Sequence, residues 1–424
     1  MNAEELLALA RQATRDGEIE AYTKRGRSRR LELAANGATC AIAVEEGWAV
    51  RAGDARGSWF ASGSGIPPSA GSWPRRSDHS LRLPEPAEAP AWTPPPDLGS
   101  PLVGESEGLA LLEGILREVE REAPGARLVA ARLDDGASDA DLASSRGLRC
   151  AVRHRSAALR LEMARGVHRV LLETCERDAR RFRPLALARR IADRFAILAD
   201  GVPREAAAAT CLLAPPVAAR LLESALAWLV GAGALEGPLA AAGAHAASAG
   251  VSVVDDGRLA GGLLESPVDG EGSPTGARVL VERGKFRQPL LAWWEAARGQ
   301  ASGCARRASF RDVPRRAPTH LFLTPDPAIG VASLVAGVER GGYWIDVDGA
   351  LVRDGSRFHL PVVGFALAGG QAREPVAGVA LAGDLAELWR AVVAVGRDLA
   401  FLAGDGMIGS PTLLVRGLEV VARG

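Results

Sequence analysis

The chain of 424 residues is poor in cysteine and has no long uninterrupted apolar run. Its five cysteines lie far apart without a Cys-x-x-Cys pair, which argues against a disulfide framework and predicts a reducing compartment. Proline, arginine or glycine interrupts every apolar segment before the roughly 20 residues of a membrane span. The first twenty residues lack the basic and apolar segments of a signal peptide. We therefore expect a cytoplasmic protein that does not enter a membrane.

The chain also lacks an excess of charge of either sign. Lys and Arg together number 51, as do Asp and Glu, so the formal net charge is zero. Nucleic acid is therefore not an expected partner. One basic run extends from Lys24 to Arg30, but no aromatic stacking platform accompanies it. We interpret this run as a solvated turn between two strands.

The length exceeds that of one hydrophobic core, so several domains are expected. Hairpin-like strands with a turn at Asn36-Gly37 precede a segment rich in Pro, Ser and Ala from Ile66 to Pro101. We predict an N-terminal domain over 1–100, a central α/β domain over 101–206 and a β-rich C-terminal domain over 207–424. The predicted fold class is α+β, with two mixed α/β regions followed by a mainly antiparallel β-rich domain.

A helix that is apolar almost all round is predicted from "ARLLESALAWLV", residues 219–230, after the helix-starting pair Pro215-Pro216. Glu223 and Ser224 fall in the middle of this helix. A carboxylate and a hydroxyl there are either functional groups or the polar edge of a buried helix.

Other motifs give weak signals. "GESEG", residues 104–108, fits Gly-x-Ser-x-Gly, but no buried strand leads into it, so we predict that Glu105 or Ser106 opens a helix. The six histidines include no i, i+4 pair that would bind one zinc ion. His154 and His168 lie in two strands predicted to be adjacent, where they could meet.

An acidic, glycine-rich loop, "ESPVDGEGSPTGARVLVERGKF", contains Asp269 and Glu271. Carboxylates in such a loop could bind a substrate amine or position water. The commoner case, which the residues alone favour, is that they are solvated residues of a hairpin connection.

Several stretches resemble, in order along nearly the whole chain, the TldD/PmbA family of metalloprotease subunits, first described as modulators of DNA gyrase. The stretches are "EAYTKRGRSRRLELAANG", "DLASSRGLRCAVRH", "SPVDGEGSPTGARVLVERGKF", "GVERGGYWIDVDG", "LAGDLAELWRAVVAVGRDL" and "GSPTLLVRGLEV". The resemblance implies the family's mixed α/β plus β-rich architecture.

In the TldD branch, the corresponding helix carries Leu-Leu-His-Glu-Ala-x-Gly-His, whose histidines bind zinc and whose Glu acts as general base. In this register Glu223 takes the first His position, Ser224 the Glu position and Trp228 the second His position. The family's cysteine ligand near the C-terminus also has no counterpart, because no cysteine follows Cys304. Tryptophan cannot bind zinc, and one carboxylate alone would not hold the ion. The sequence therefore is similar to the PmbA branch, also called TldE, which lacks the motif.

This resemblance implies a pseudoenzyme without catalytic or metal-binding residues of its own, which pairs with a zinc-containing TldD-like subunit. Such a complex would degrade or process unfolded or precursor peptides. Asp269 and Glu271 are then candidates for contacts with the peptide or the partner. The chain could instead pair with a second copy of itself, and the sequence does not distinguish a homodimer from a heterodimer. The alternatives are an active hydrolase with an atypical site, using Glu223, Asp269 or Glu271 and a distant histidine, or a non-proteolytic binding or regulatory protein.

Overall fold

The computed structural model describes residues 2–13, 17–54, 57–67, 81–85, 92–296 and 303–423. Within these ranges the chain is mixed α and β with a β-rich second half, which confirms the α+β prediction. The predicted proline-rich connector is described only in part, since residues 68–80 and 86–91 lie outside these ranges. No helix in the described part of the chain is long and apolar enough to cross a membrane.

The first half is built on one antiparallel sheet with the strand order β3-β2-β1-β4-β5-β6. Its strands are β1 (Glu18–Ala34), β2 (Gly37–Asp54), β3 (Gly57–Gly63), β4 (Arg127–Ser144), β5 (Arg149–Arg165) and β6 (His168–Glu176). The predicted turn at Asn36-Gly37 connects β1 to β2. Because β1 and β4 pair directly, this sheet spans the boundary expected at residue 100. The division into three domains stays a prediction.

The basic run from Lys24 to Arg30 lies inside β1, so its interpretation as a turn was wrong. Neighbouring strands provide acids opposite the arginines. Arg25 pairs with Glu46 of β2 at 2.9 Å, and Arg30 pairs with Asp134 of β4 at 2.7 Å. Opposite charges facing each other across strands stabilise a sheet, and this pattern was not visible in β1 alone.

Three helices pack on this sheet: α1 (Ala3–Ala13), α2 (Glu105–Glu122) and α3 (Pro184–Asp200). The helix predicted from "GESEG" begins at Glu105, and its N-cap is Gly104 rather than Glu105 or Ser106. The carboxylate of Glu107 accepts a hydrogen bond from the Gly104 N–H at 3.3 Å. This bond satisfies one of the free N–H groups at the helix start, which explains why the cap residue needs no side chain.

The second half contains a larger sheet and a smaller one. The larger consists of β7 (Ala206–Leu213), β14 (Arg340–Val347), β15 (Val352–Asp354), β16 (Arg357–Ala368), β17 (Gln371–Asp384), β18 (Val392–Val395) and β21 (Leu413–Ala422). Its strands follow the order β14-β7-β21-β17-β16-β15, and β18 lies beside β21. Because β14 also pairs with β16, the five strands β14, β7, β21, β17 and β16 form a closed ring. The smaller consists of β8 (Val253–Asp256), β9 (Ala277–Glu282), β10 (Lys285–Phe286), β13 (His320–Leu323), β19 (Ala400–Gly404) and β20 (Gly406–Ser410).

The remaining elements are short. They are the helices α4 (Pro215–Ser224), α5 (Pro238–Ala242), α6 (Val331–Ala336) and α7 (Leu385–Arg390), and the strand pair β11 (Ala305–Arg306) and β12 (Arg315–Arg316). Helix α4 buries Val217, Leu221 and Leu222 in the core that it shares with both sheets of the second half. It contacts β14, β19 and β20 and therefore lies at the centre of this half.

Helix α4 ends at Ser224, and a separate 3₁₀ turn covers Leu226–Trp228. The prediction that Glu223 and Ser224 lie in the middle of a longer helix was therefore wrong. Both residues occupy the last turn of α4. The apolar residues on both sides of them continue the buried pattern, although the backbone leaves the α-helical path at Ala225.

Candidate functional site

The end of α4 meets the tight hairpin between β19 and β20. The N–H of Asp405, in this hairpin, donates a hydrogen bond to Glu223 Oε1 at 3.3 Å. Arg220, one turn earlier in α4, donates to the other carboxylate oxygen of Glu223. A Cβ atom at Gly404 would collide with the Glu223 carboxylate, so glycine at this position permits the close approach. Both oxygens of Glu223 thus have partners within the chain.

Ser224 is engaged by its own helix. Its hydroxyl donates to the carbonyl oxygen of Leu221 at 2.6 Å, and its carbonyl oxygen accepts a hydrogen bond from Arg353. Serine back-bonding of this kind is common at a helix end. The hydroxyl is therefore neither a general base nor a prepared nucleophile.

Trp228 fills space rather than offering a ligand. Its side chain belongs to the hydrophobic core of the second half, and the residue is only 7% exposed. The Arg353 guanidinium carbon lies 5.4 Å from the centre of its ring, a cation–π distance. Arg353 thus contacts both Ser224 and Trp228 and holds the 3₁₀ turn against the end of α4.

Zinc, which the resemblance implies for this helix in the TldD branch, does not fit the three residues found here. The indole of Trp228 has no lone pair for a metal, the Ser224 hydroxyl is bonded to its helix, and Glu223 has two partners already. Across the described ranges, no three His, Cys, Asp or Glu side chains are grouped so as to hold a metal ion.

An arginine-lined cavity of about 390 Å³ lies beside α4, between the first sheet and the second half. Its lining includes Arg169 of β6, Arg190 and Arg194 of α3, and Arg220 of α4. Arg194 is the best fixed of these, because it pairs with Asp346 at 2.8 Å and donates to the carbonyl of Val347. Glu173, Asp346 and Asp348 also line the cavity, so charges of both signs lie beside the helix that carries the zinc motif in the TldD branch.

Asp269 is buried and organises the acidic loop. Its Oδ1 accepts the N–H groups of Glu271 and Ser273, each at 2.9 Å, and its Oδ2 accepts the N–H of Ala305 at 3.0 Å. Burial raises the pKa of Asp269, and these three N–H groups act in the opposite direction. The interpretation of Asp269 as a solvated turn residue was wrong. Its carboxylate is buried and serves as the acceptor for three backbone N–H groups inside the fold.

Glu271 is also buried, only 1% exposed, and connects the loop to the first sheet. Its Oε1 lies 2.7 Å from Arg51 Nη2, and Arg51 forms a two-pronged pair with Glu20 at 3.0 and 2.7 Å. Burial raises the pKa of Glu271 to about 7, although the positive charge of Arg51 opposes this shift. Arg307 contacts Glu20 from the other side. The solvated interpretation was wrong here too, because Glu271 contributes to an interface inside the chain.

His154 and His168 lie in adjacent strands, as expected, but do not meet. His154 of β5 lies opposite Ser138 of β4, whereas His168 pairs with Arg165. Arg165 lies eleven residues further along β5 than His154, which corresponds to about 36 Å in a strand. Burial lowers the pKa of His154 to about 4, so its imidazole is neutral near pH 7.

Sequence reasoning missed Glu20 and Arg51, which hold Glu271, and Asp405, which holds Glu223. A usable signal existed for Arg51, a lone arginine within the otherwise apolar stretch "GWAVRAG". A charge in a buried strand requires a partner, although the stretch does not tell which one. Asp405 gave no such signal, because an aspartate between two glycines is usual in a hairpin turn.

Comparisons with known proteins agree with the family resemblance. Residues 206–422 match the family model of the PmbA/TldA metallopeptidase C-terminal domain. The structure resembles TldE from Thermococcus kodakarensis with a TM-score of 0.84, at 16% identity over 99% of both chains. A proposed modulator of DNA gyrase from Thermotoga maritima gives a TM-score of 0.80, at 17% identity over 99% of both chains. At such identities these two likenesses show a shared fold. No curated protein sequence matches the chain.

Proposed function

Because the chain belongs to the PmbA/TldA metallopeptidase family, we propose that it is the non-catalytic subunit of a TldD/TldE-type peptidase. In this proposal a relative with the His-Glu helix binds the zinc ion and performs the hydrolysis. The complex cleaves unfolded or precursor peptides. The present chain completes the complex without supplying a metal ligand.

The observation that carries this proposal is the state of the three motif positions. Glu223 is held by Arg220 and Asp405, Ser224 bonds to its own helix, and Trp228 is part of the core. A zinc peptidase needs protein ligands plus an open position for water. These residues have other functions in the fold, and the part of the chain that the structure describes offers no alternative metal cluster.

The role proposed for this chain is to form part of the peptide channel. The arginine-lined cavity beside α4 supports this role, because it adjoins the helix that corresponds to the catalytic helix of the partner's branch. Arg190 would attract acidic side chains of a peptide, and salt would weaken that attraction.

The alternative of an atypical hydrolase would require Glu223 to work together with Asp269 or Glu271. The contacts favour the non-catalytic role instead. Glu223 bonds to α4 and the β19–β20 hairpin, Asp269 bonds to three backbone amides of its own loop and of β11, and Glu271 bonds to Arg51 of the first sheet. Glu223 therefore shares no partner with Asp269 or Glu271, and the contacts do not gather these carboxylates into one catalytic group.

The pairing is tested by producing the chain together with a relative from the same genome that carries the His-Glu helix. Affinity capture of one chain and native mass spectrometry of the product are expected to show a stable complex of both. A protein that forms only homodimers in the presence of this relative contradicts the proposal. If the chain alone alters DNA supercoiling by gyrase and captures no such relative, the regulatory alternative is correct.

A further inference from the structure

A second cavity, of about 250 Å³, lies between the first sheet and the acidic loop. One wall is a face of the sheet, where Tyr22, Leu142 and Cys150 are aligned across β1, β4 and β5, followed by Lys24, Ala140 and Val152. The acidic loop and β11 form the opposite wall with Leu264, Val268, Asp269 and Arg306, among others. At about 30 Å³ per water molecule, the cavity has room for about eight waters or one small organic molecule.

Arg306 is unusual among the cations around this cavity. Within the described ranges, none of its three guanidinium nitrogens has a hydrogen-bond partner, and no carboxylate lies within ion-pair distance. Nε and Nη2 are closed off from solvent, which leaves Nη1 as the nitrogen that an acceptor can reach. Arg307, the next residue, is fully engaged by Glu20 and by the carbonyl oxygen of Gly270. Nη1 is therefore a donor group for which the described part of the chain supplies no acceptor, and a ligand in the cavity can accept its hydrogen bonds.

The acids nearest to Arg306 do not meet this need. Asp255 and Asp269 attract it electrostatically, but their oxygens accept backbone N–H groups: that of Thr319 at 2.8 Å for Asp255, and that of Ala305 at 3.0 Å for Asp269. The ammonium of Lys24 is also occupied, because it lies 3.1 Å from a carboxylate oxygen of Glu45. Among the cations that line the cavity, Arg306 is therefore the one that has no ion-pair partner within the described residues.

We propose that this cavity binds a carboxylate on a small apolar body, with Arg306 as the partner of the carboxylate. Nη1 can donate two hydrogen bonds, and a hydrogen bond from a guanidinium to a carboxylate is about twice as strong as one between neutral groups. The apolar side chains of Ala140, Leu142, Val152 and Val268 suit an aliphatic body. A single unpaired cation favours a monoanion over a phosphate dianion, and the neutral imidazole of His154 adds no second charge.

Two sources can supply this chemistry: the C-terminal residue of a peptide, or a free small carboxylic acid. The inference goes beyond the proposed function, because the residues around the cavity all belong to this chain and need no zinc-binding partner. If a peptide is the source, the cavity holds the C-terminal end of the chain that the complex processes.

The test is isothermal titration calorimetry on the full chain with N-acetyl-leucine and with its amide. The acid is expected to bind and the amide to bind at least about tenfold more weakly, since a charge-assisted hydrogen bond contributes about one such factor. Arg306→Gln is expected to lose the preference for the acid. Arg153→Gln is the matched control, because Arg153 lies on β5 between two cavity residues but pairs with Asp139 at 2.6 Å on the solvent side. This control is expected to bind like the unmodified chain.

A second variant covers the case in which Arg306→Gln fails to fold. Ala140→Leu keeps the guanidinium and narrows the cavity, so it is expected to weaken binding of the acid about tenfold while the melting temperature stays close to that of the unmodified chain. Pentapeptides ending in leucine, with a free or an amidated C-terminus, identify the source. Binding of the free pentapeptide indicates a peptide C-terminus, and binding of N-acetyl-leucine alone indicates a small acid. The proposal is wrong if neither acid binds, or if acid and amide bind equally.

Discussion

The backbone N–H of Asp405 donates a hydrogen bond to Oε1 of Glu223 at 3.3 Å and so joins the β19–β20 hairpin to the last turn of α4. In the TldD branch, as the resemblance implies, the zinc ligands come from the helix that corresponds to α4 and from a cysteine near the C-terminus. In this chain the segment "LAGDGMIGSP", residues 402–411, occupies the region of that cysteine, and the fold brings it against α4. In this chain the hydrogen bond from Asp405 to Glu223 joins the two parts, and Arg220 of the same helix forms an ion pair with Glu223.

Removing the Glu223 carboxylate is expected to cost little stability. Glu223→Ala deletes the bonds to Arg220 and to the Asp405 amide, but Arg220 is well exposed, so solvent screens the ion pair. We expect the free energy of unfolding to fall by about 1 kcal/mol in urea denaturation. Glu236→Ala, at an exposed position, is the control and is expected to change it by less than about 0.5 kcal/mol. A loss above about 3 kcal/mol would show that Glu223 is a major structural element.

Metal removal is expected to have no effect on this chain alone. The residues at the motif positions do not fit zinc, so EDTA should leave the melting temperature unchanged. Protein purified from zinc-supplemented cells should contain far less than one zinc ion per chain by mass spectrometry of the metal. Stoichiometric zinc that EDTA removes together with a drop in melting temperature would refute this expectation and favour the atypical hydrolase.

Glu271 is expected to give the stability a measurable pH dependence. Its pKa is raised by burial from an unfolded value of 4.5 to about 7. Between these values the folded state keeps a proton that the unfolded state loses, so this contribution to stability is full below pH 4.5 and is lost as the pH rises through 7. Glu271→Gln lacks this titration. Its stability relative to the unmodified chain should therefore improve by about 1 to 3 kcal/mol from pH 5 to pH 8.

Urea denaturation at four pH values between 5 and 8 measures this difference. A difference that stays constant with pH would mean that Glu271 is ionised throughout by its contact with Arg51. A relative loss of stability of Glu271→Gln with rising pH would mean that the pair with Arg51 outweighs the cost of burial.

Asp269 is expected to be important for stability rather than for substrate contact. Asp269→Ala leaves three N–H groups, those of Glu271, Ser273 and Ala305, without their acceptor. We expect a loss of about 2 to 4 kcal/mol in the free energy of unfolding. Asp312→Ala, at an exposed position, is the control and should be nearly neutral. If Asp269→Ala is as stable as the unmodified chain, the carboxylate has no structural role and Asp269 is again a candidate for peptide binding.

The sequence predicted those features that depend on neighbouring residues. The turn at Asn36-Gly37, the start of α2 at Glu105 and the α+β class all follow from local patterns and are present. The end of α4 was not predictable in this way, because the residues around Ser224 continue the apolar pattern of a helix. The contact of Arg353 with both Ser224 and Trp228 accompanies the 3₁₀ turn and comes from more than a hundred residues away.

The sequence identified the candidate site residues, but it did not predict their burial or their hydrogen-bond partners. Glu271 was assigned to a solvated loop because glycines surround it, whereas its partner Arg51 lies 220 positions earlier in the chain. The pairing of β1 with β2 and the packing of the acidic loop on that sheet together create this contact. Hydrophobic periodicity determines which face of a strand is buried, but it does not determine which charged residues meet across two packed elements.

The central claim is that this chain is required for peptide cleavage but does not perform it. The most direct measurement is cleavage of an unfolded peptide by four samples: this chain, its relative with the His-Glu helix, the mixture, and a mixture in which the motif Glu of the relative is replaced by Gln. We expect EDTA-sensitive cleavage only in the unmodified mixture, and the same activity when this chain carries Glu223→Gln. Cleavage by this chain alone, or its loss from the mixture with Glu223→Gln while the complex still forms, would contradict the claim.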